Sequence, residues 1–146
     1  MNIHIPFTTI REDFNVYEAE NGQILYAKSM VTDIFEGEDK KGKFGNLGFQ
    51  SASHVITPQK IDTSKFEFLP SEQVLDEHIT QDLKFKPVKE IINIYETEKL
   101  ILLVDAKVEK ISITNKKDKD ENPILRYRSG IGVSVIPKNP EEKKPI

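Results

Sequence analysis

The chain has 146 residues, 37% hydrophobic and 31% charged, with a formal net charge of −3: enough apolar side chain for a packed core, and too much for global disorder. It has no cysteine, which excludes disulfides, thiolate metal sites and cysteine nucleophiles. No apolar run approaches the roughly 18 residues of a membrane-spanning helix, and the slight acidity gives no general attraction to phosphate backbones.

Met1 to Pro6 show neither the basic start nor the apolar core of a secretory signal, so a cytoplasmic location is expected. Phe14 to Glu20 is rich in aromatic and β-branched residues and predicts a strand. Asn21-Gly22 then predicts a type I′ hairpin turn, because both residues tolerate positive φ. Gln23 to Phe35 is a long β-like run, apolar in both alternation phases over part of its length. A strand of that length, at about 3.3 Å per residue, normally bends through a bulge or a barrel corner. A charged, turn-rich stretch, Glu36 to Asn46, leads to an alternating run from Leu47 to Thr57 that closes on Pro58.

Between residues 59 and 84 lies a connector. Lys65 to Leu69 could form a short strand, and Pro70-Ser71 resembles a helix start with Ser71 as N-cap. Leu75, Ile79 and Leu83 recur at four-residue spacing, which predicts one short helix over about Glu72 to Gln81.

From Phe85 the earlier pattern returns at an offset of 78 residues. Phe7, Glu12, Asn15, Tyr17, Glu18 and Glu20 match Phe85, Glu90, Asn93, Tyr95, Glu96 and Glu98. A long run follows, Lys99 to Thr114, then a charged turn, Asn115 to Asn122, and an alternating run, Ile124 to Ile136, that closes on Pro137. The second turn, near Glu98-Lys99, is one residue shorter, so Val31 and Ile34 match Val108 and Ile111 at an offset of 77. The same order of elements twice implies an internal duplication: residues 1–58 and 85–137 as two β repeats, and 138–146 as a charged, proline-bearing tail. The expected fold is mainly β: a pair of three-stranded antiparallel meanders forming a barrel or sandwich, with one short connecting helix.

No catalytic constellation stands out. His4, His54 and His78 lack metal-ligand spacing, and no metal or cofactor is implied. Asp118, Asp120 and Asn122 imitate the opening of a calcium loop, but Pro123 replaces the required glycine and Ser129 the twelfth-position glutamate. The glycine-bearing segment Gly42 to Asn46 is no phosphate loop. Ser53 and His54 would point to opposite faces of a strand. Glu18 with Glu20, and Glu96 with Glu98, share a strand face and are expected in solvent beside their turns.

Three functions compete. The leading expectation is a non-enzymatic protein-interaction or structural module that docks a protein or a copy of itself through hairpin tips and edge strands, with Phe44, Phe49 and Tyr127 as contact residues. The alternative is a nucleic-acid-binding small barrel. It would use Lys40, Lys41, Lys43, Lys116, Lys117 and Lys119 at the tips, with Arg126 and Arg128 flanking Tyr127. The third is a small-molecule barrel lined by His54, Tyr17 and Tyr95.

Overall fold

A computed structural model describes residues 3–36 and 44–138, giving the backbone alone for residues 36, 44 and 45. The described chain is mainly β and forms two sheets whose strands are antiparallel but for one short parallel bridge. The first sheet contains β1 (Ile3–His4), β3 (Asn15–Ala19), β4 (Ile24–Glu36), β5 (Phe44–Ile56) and β8 (Phe85–Lys89). The second contains β2 (Thr8–Arg11), β6 (Glu67–Phe68), β7 (Ile79–Leu83), β9 (Asn93–Glu96), β10 (Leu100–Lys117) and β11 (Pro123–Pro137). Neither sheet closes into a barrel.

The two expected meanders are present as β3–β4–β5 and β9–β10–β11. Each long strand carries the expected irregularity. The register slips between Val31 and Asp33 in β4, and between Val108 and Lys110 in β10. A slip there bends the strand and gives its two halves different partners along one edge. β4 pairs with β3 through Ile24–Ala27 and with β1 at Phe35 and Glu36. β10 pairs with β9 through Ile101–Val104 and with β7 through Ile111–Thr114.

The halves also exchange strands. β2, near the N-terminus, pairs with β9, while β8 pairs with β3. These short strands lack any alternation that would mark them in sequence. Thr8–Arg11 and Lys86–Lys89 are exposed, and they are ordered by the neighbour whose edge they cover.

The expected helix over Glu72–Gln81 does not form. Two single 3₁₀ turns, Ser71–Gln73 and Asp76–His78, flank an extended Val74-Leu75, and Ile79 already begins β7. Tertiary demands override the four-residue stripe. Val74 is buried, its carbonyl accepts a hydrogen bond from Arg126 Nη1 at 3.1 Å, and β10 needs a partner beside Ile111–Thr114. Leu75, assigned to the apolar stripe, is exposed instead. The first hairpin turn also differs from a type I′. It is a three-residue loop, Glu20 to Gly22, in which only Gly22 takes a positive φ, of 91°.

The core consists of two clusters, each drawing on both sheets. In one, Tyr17, Leu25 and Ala27 meet Val108 and Ile111. In the other, Tyr95, Leu102 and Val104 meet Val31 and Ile34. Val108 N donates to Tyr17 Oη at 3.0 Å, and Tyr17 Oη donates to Glu90 at 2.7 Å. In the same manner Val31 N donates to Tyr95 Oη at 3.2 Å, and Tyr95 Oη donates to Glu12. The asparagines behave alike: Asn15 Nδ2 donates to the Ala106 carbonyl at 2.5 Å, and Asn93 Nδ2 to that of Ser29 at 3.3 Å.

Tyr17→Phe or Tyr95→Phe removes the acceptor of a buried backbone N–H, a loss of about 1–3 kcal/mol. Each variant is expected to lower unfolding stability by that amount in urea titrations, with an unchanged far-ultraviolet dichroism spectrum. A loss below about 0.5 kcal/mol in both would show that the phenols are not structural bonds.

Candidate docking surface

The expected site residues separate into three groups. Lys40, Lys41, Lys43 and the side chain of Phe44 lie outside the described residues. Lys116, Lys117 and Arg126 are engaged within the molecule. Lys116 Nζ is 2.9 Å from Glu67 Oε2, and Lys117 Nζ is 3.2 Å from Glu121 Oε1. The Arg126 guanidinium donates to Asp76 Oδ1 at 2.8 and 3.2 Å as well as to the Val74 carbonyl. That planar fork ties the connector to β11. Lys119 lies in the β10–β11 turn, while Arg128 and Phe49 stand exposed on the edge strands β11 and β5. Tyr127 is half-buried against the Tyr17 cluster.

Within that turn, Asp118 Oδ1 accepts from Asp120 N at 2.9 Å and from Asn122 N at 3.0 Å. Its carboxylate therefore holds the hairpin loop together. Glu96 reaches Lys138 at 2.5 Å.

The small-molecule site expected from His54, Tyr17 and Tyr95 is not assembled. Both tyrosines are buried in separate clusters, and His54 lies on the outer surface. There it stacks on Tyr26, with ring centroids 4.5 Å apart and planes 7° apart, and meets the Phe14 ring at 5.2 Å. Lys28 Nζ sits 4.7 Å above the same Phe14 ring. Among the described residues, no buried side-chain nitrogen or oxygen lacks a hydrogen-bond partner, so the interior presents no unsatisfied group to a ligand.

The surface that is left incomplete is the outer edges. β5 and β11 pair on one side only, with β4 and β10, and their other edges meet no strand among the described residues. Side chains that face inward on these strands remain in contact with solvent. Phe49, opposite buried Val31, is 39% exposed; Val133, opposite buried Val104, is 37% exposed; Ile131 is 44% exposed. Where the last residues of β5 approach the first of β11, Ser53, His54, Val55, Leu125, Arg126 and Tyr127 line an open cleft of about 500 Å³.

Composition sets both edges apart. β5 holds no Asp, Glu, Lys or Arg over its 13 residues, and β11 holds none from Ser129 to Pro137, in a chain that is 31% charged. Charges on an edge strand are the usual protection against pairing with another strand. The two charge-free runs are legible in the sequence and are a stronger signal than the lysine-rich tips. Of the residues expected to make contacts, Phe44 and Phe49 fall within them and Tyr127 does not, while Ile131, Val133 and Ile136 carry no such expectation.

No protein-family model matches the chain, and neither a curated protein nor a solved structure matches it.

Two expectations follow. Burial, reinforced by the bond to Glu90, pushes the Tyr17 phenol up to about 12, and burial with the bond to Glu12 pushes Tyr95 up as well. An unfolded tyrosine ionises near 10, so the stabilisation is complete below that pH and falls away as pH rises toward 12. Alkaline unfolding followed by dichroism is expected to fall in that window, and to become less steep in Tyr17→Phe. An identical profile in the variant would break the linkage. Arg126→Ala, in turn, is expected to speed amide hydrogen exchange in Val74–His78 while leaving β3 and β9 protected. Unchanged exchange in that connector would show that the guanidinium does not hold it.

Proposed function

We propose that the chain is an internally duplicated β-sandwich that works as a non-enzymatic docking or structural module, engaging a protein partner through the free edges of β5 and β11. The observation that carries this reading is the pair of long, charge-free edge strands with half-uncovered apolar side chains. A strand edge offers a ladder of unpaired N–H and C=O groups, and an added strand satisfies them while alternate side chains fill the uncovered face.

The duplication is supported by the paired bonds. Residue for residue, Tyr17, Glu90 and Val108 correspond to Tyr95, Glu12 and Val31 at offsets of 78, 78 and 77. The bulges recur at the same 77-residue spacing. The nucleic-acid reading is weakened by the internal pairing of Lys116, Lys117 and Arg126.

A photoreactive amino acid placed singly at Gln50 on β5, Ser134 on β11, and exposed Glu77 in the connector, away from the cleft, tests the docking reading in living cells. Adducts are expected from the two edge positions and not from Glu77. Adducts from Glu77 alone, or none from either edge, would overturn the reading.

A further inference from the structure

The two edges are not alike, and the difference identifies an occupant for one of them. The middle of β5 reads Gln50-Ser51-Ala52-Ser53, small and polar; the middle of β11 reads Gly130-Ile131-Gly132-Val133 and runs on to Ile136. Three large apolar side chains within six residues of β11 stand in solvent, Ile136 at 46%. We infer that β11 is the interface of a homodimer, in which Ser129–Val135 pairs antiparallel with the same segment of a second copy of this chain. This inference rests on the docking reading and names its partner.

Electrostatics favours a second copy. A strand that pairs with itself about a twofold axis brings the residues beside the axis near their own counterparts, so any charge close to the axis meets its like. A different partner carries no such constraint, and can place the opposite charge across the interface. The charge-free run in β11 is therefore what self-pairing demands. An axis perpendicular to the sheet through Gly132 would set Gly132 against Gly132 of the partner subunit. It would place Ile131 opposite Val133 of the partner subunit, so that these two exposed side chains cover one another. The nearest cation, Arg128, would lie toward the two opposite ends of the paired segment, away from its copy. Glycine at the axis leaves no pair of identical side chains side by side on the sheet face there. Pairing would also extend the second sheet across both subunits and supply partners to the outward N–H and C=O groups of β11, which β10 cannot reach.

Light scattering coupled to gel filtration, with charge placed at the axis, tests this. The wild-type chain is expected at twice its 16.7 kDa mass. Gly132→Lys and Gly132→Glu are each expected at the monomer mass, because a Cβ at Gly132 has room, its nearest neighbour being the Asp105 carbonyl oxygen at 3.9 Å. An equimolar mixture of the two variants is expected to return to the dimer mass, which a misfolded variant would not do. Gln50→Lys, the same charge on the β5 edge, is expected to leave the dimer intact. A wild-type monomer at every concentration, a dimer indifferent to both Gly132 variants, or a mixture that stays monomeric would overturn the inference. Edge adducts of a mass other than a chain dimer, alongside a wild-type monomer, would overturn self-pairing and leave the docking reading standing. A wild-type monomer with no edge adduct would remove both.

Discussion

A phenol oxygen accepting a hydrogen bond from the middle of a long strand in the opposite sheet is the contact on which this fold depends. β4 and β10 are too long to be paired along both edges by the short strands around them. Each has a partner at its two ends and a gap between them, and in the gap the backbone enters the core. Val31 N and the Ser29 carbonyl lie in one gap, Val108 N and the Ala106 carbonyl in the other. A buried N–H without an acceptor costs about 1–3 kcal/mol, so the gap must be filled. Tyr95 and Asn93 fill the first and Tyr17 and Asn15 the second. Each half thus completes the other, and neither set of bonds exists without both sheets.

The same reciprocity explains the short strands and the carboxylates. A phenol that accepts a backbone hydrogen bond still has its own proton to donate inside the core. Glu12 and Glu90 take it, and both stand just ahead of the strand that contributes the asparagine and the other half's tyrosine. β2 and β8 deliver those glutamates by crossing to the opposite sheet. Phe7 and Phe85 then close edge-on over the two tyrosine rings, at 5.9 and 5.7 Å. A carboxylate beside a phenol looks like acid–base chemistry, but here the phenol is buried and its oxygen is taken up by structural bonds.

How much of this was legible follows from where each signal resides. The long strands, the hairpins and the matching of Tyr17 with Tyr95 rest on local alternation and spacing, which sequence carries directly. β1, β2, β7 and β8 owe their conformation to a neighbouring edge, and no residue within them announces it. The helix expected over Glu72–Gln81 failed for the same reason: Leu75, Ile79 and Leu83 have helical spacing, yet β10 needed a strand there and Arg126 needed the Val74 carbonyl. The lysine-rich tips are conspicuous in the sequence because charge is. The informative residues were those where charge is missing, Phe44–Ile56 and Ser129–Pro137, and an absence is readable only once a strand is known to lie at an edge.

On the duplication reading, the interior and the rim of the molecule obey different rules. Inside, Tyr17 and Tyr95 serve equivalent gaps, so a change in one half leaves an unsatisfied group in the other, and the two halves are held to the same solution. The outer edges of β5 and β11 pair with no strand among the described residues. They are free to differ, and they do: Gln50-Ser51-Ala52-Ser53 on one side, Gly130-Ile131-Gly132-Val133 on the other. The outer faces diverge as well, with Tyr26 stacked on His54 in the first sheet where Leu103 lies opposite Ser134 in the second. A scaffold whose symmetry is enforced only at its centre can present two unlike edges to its surroundings. A strand that stays apolar and uncharged at such an edge runs the risk of indiscriminate aggregation. On the docking reading, that risk ends when another strand covers the edge.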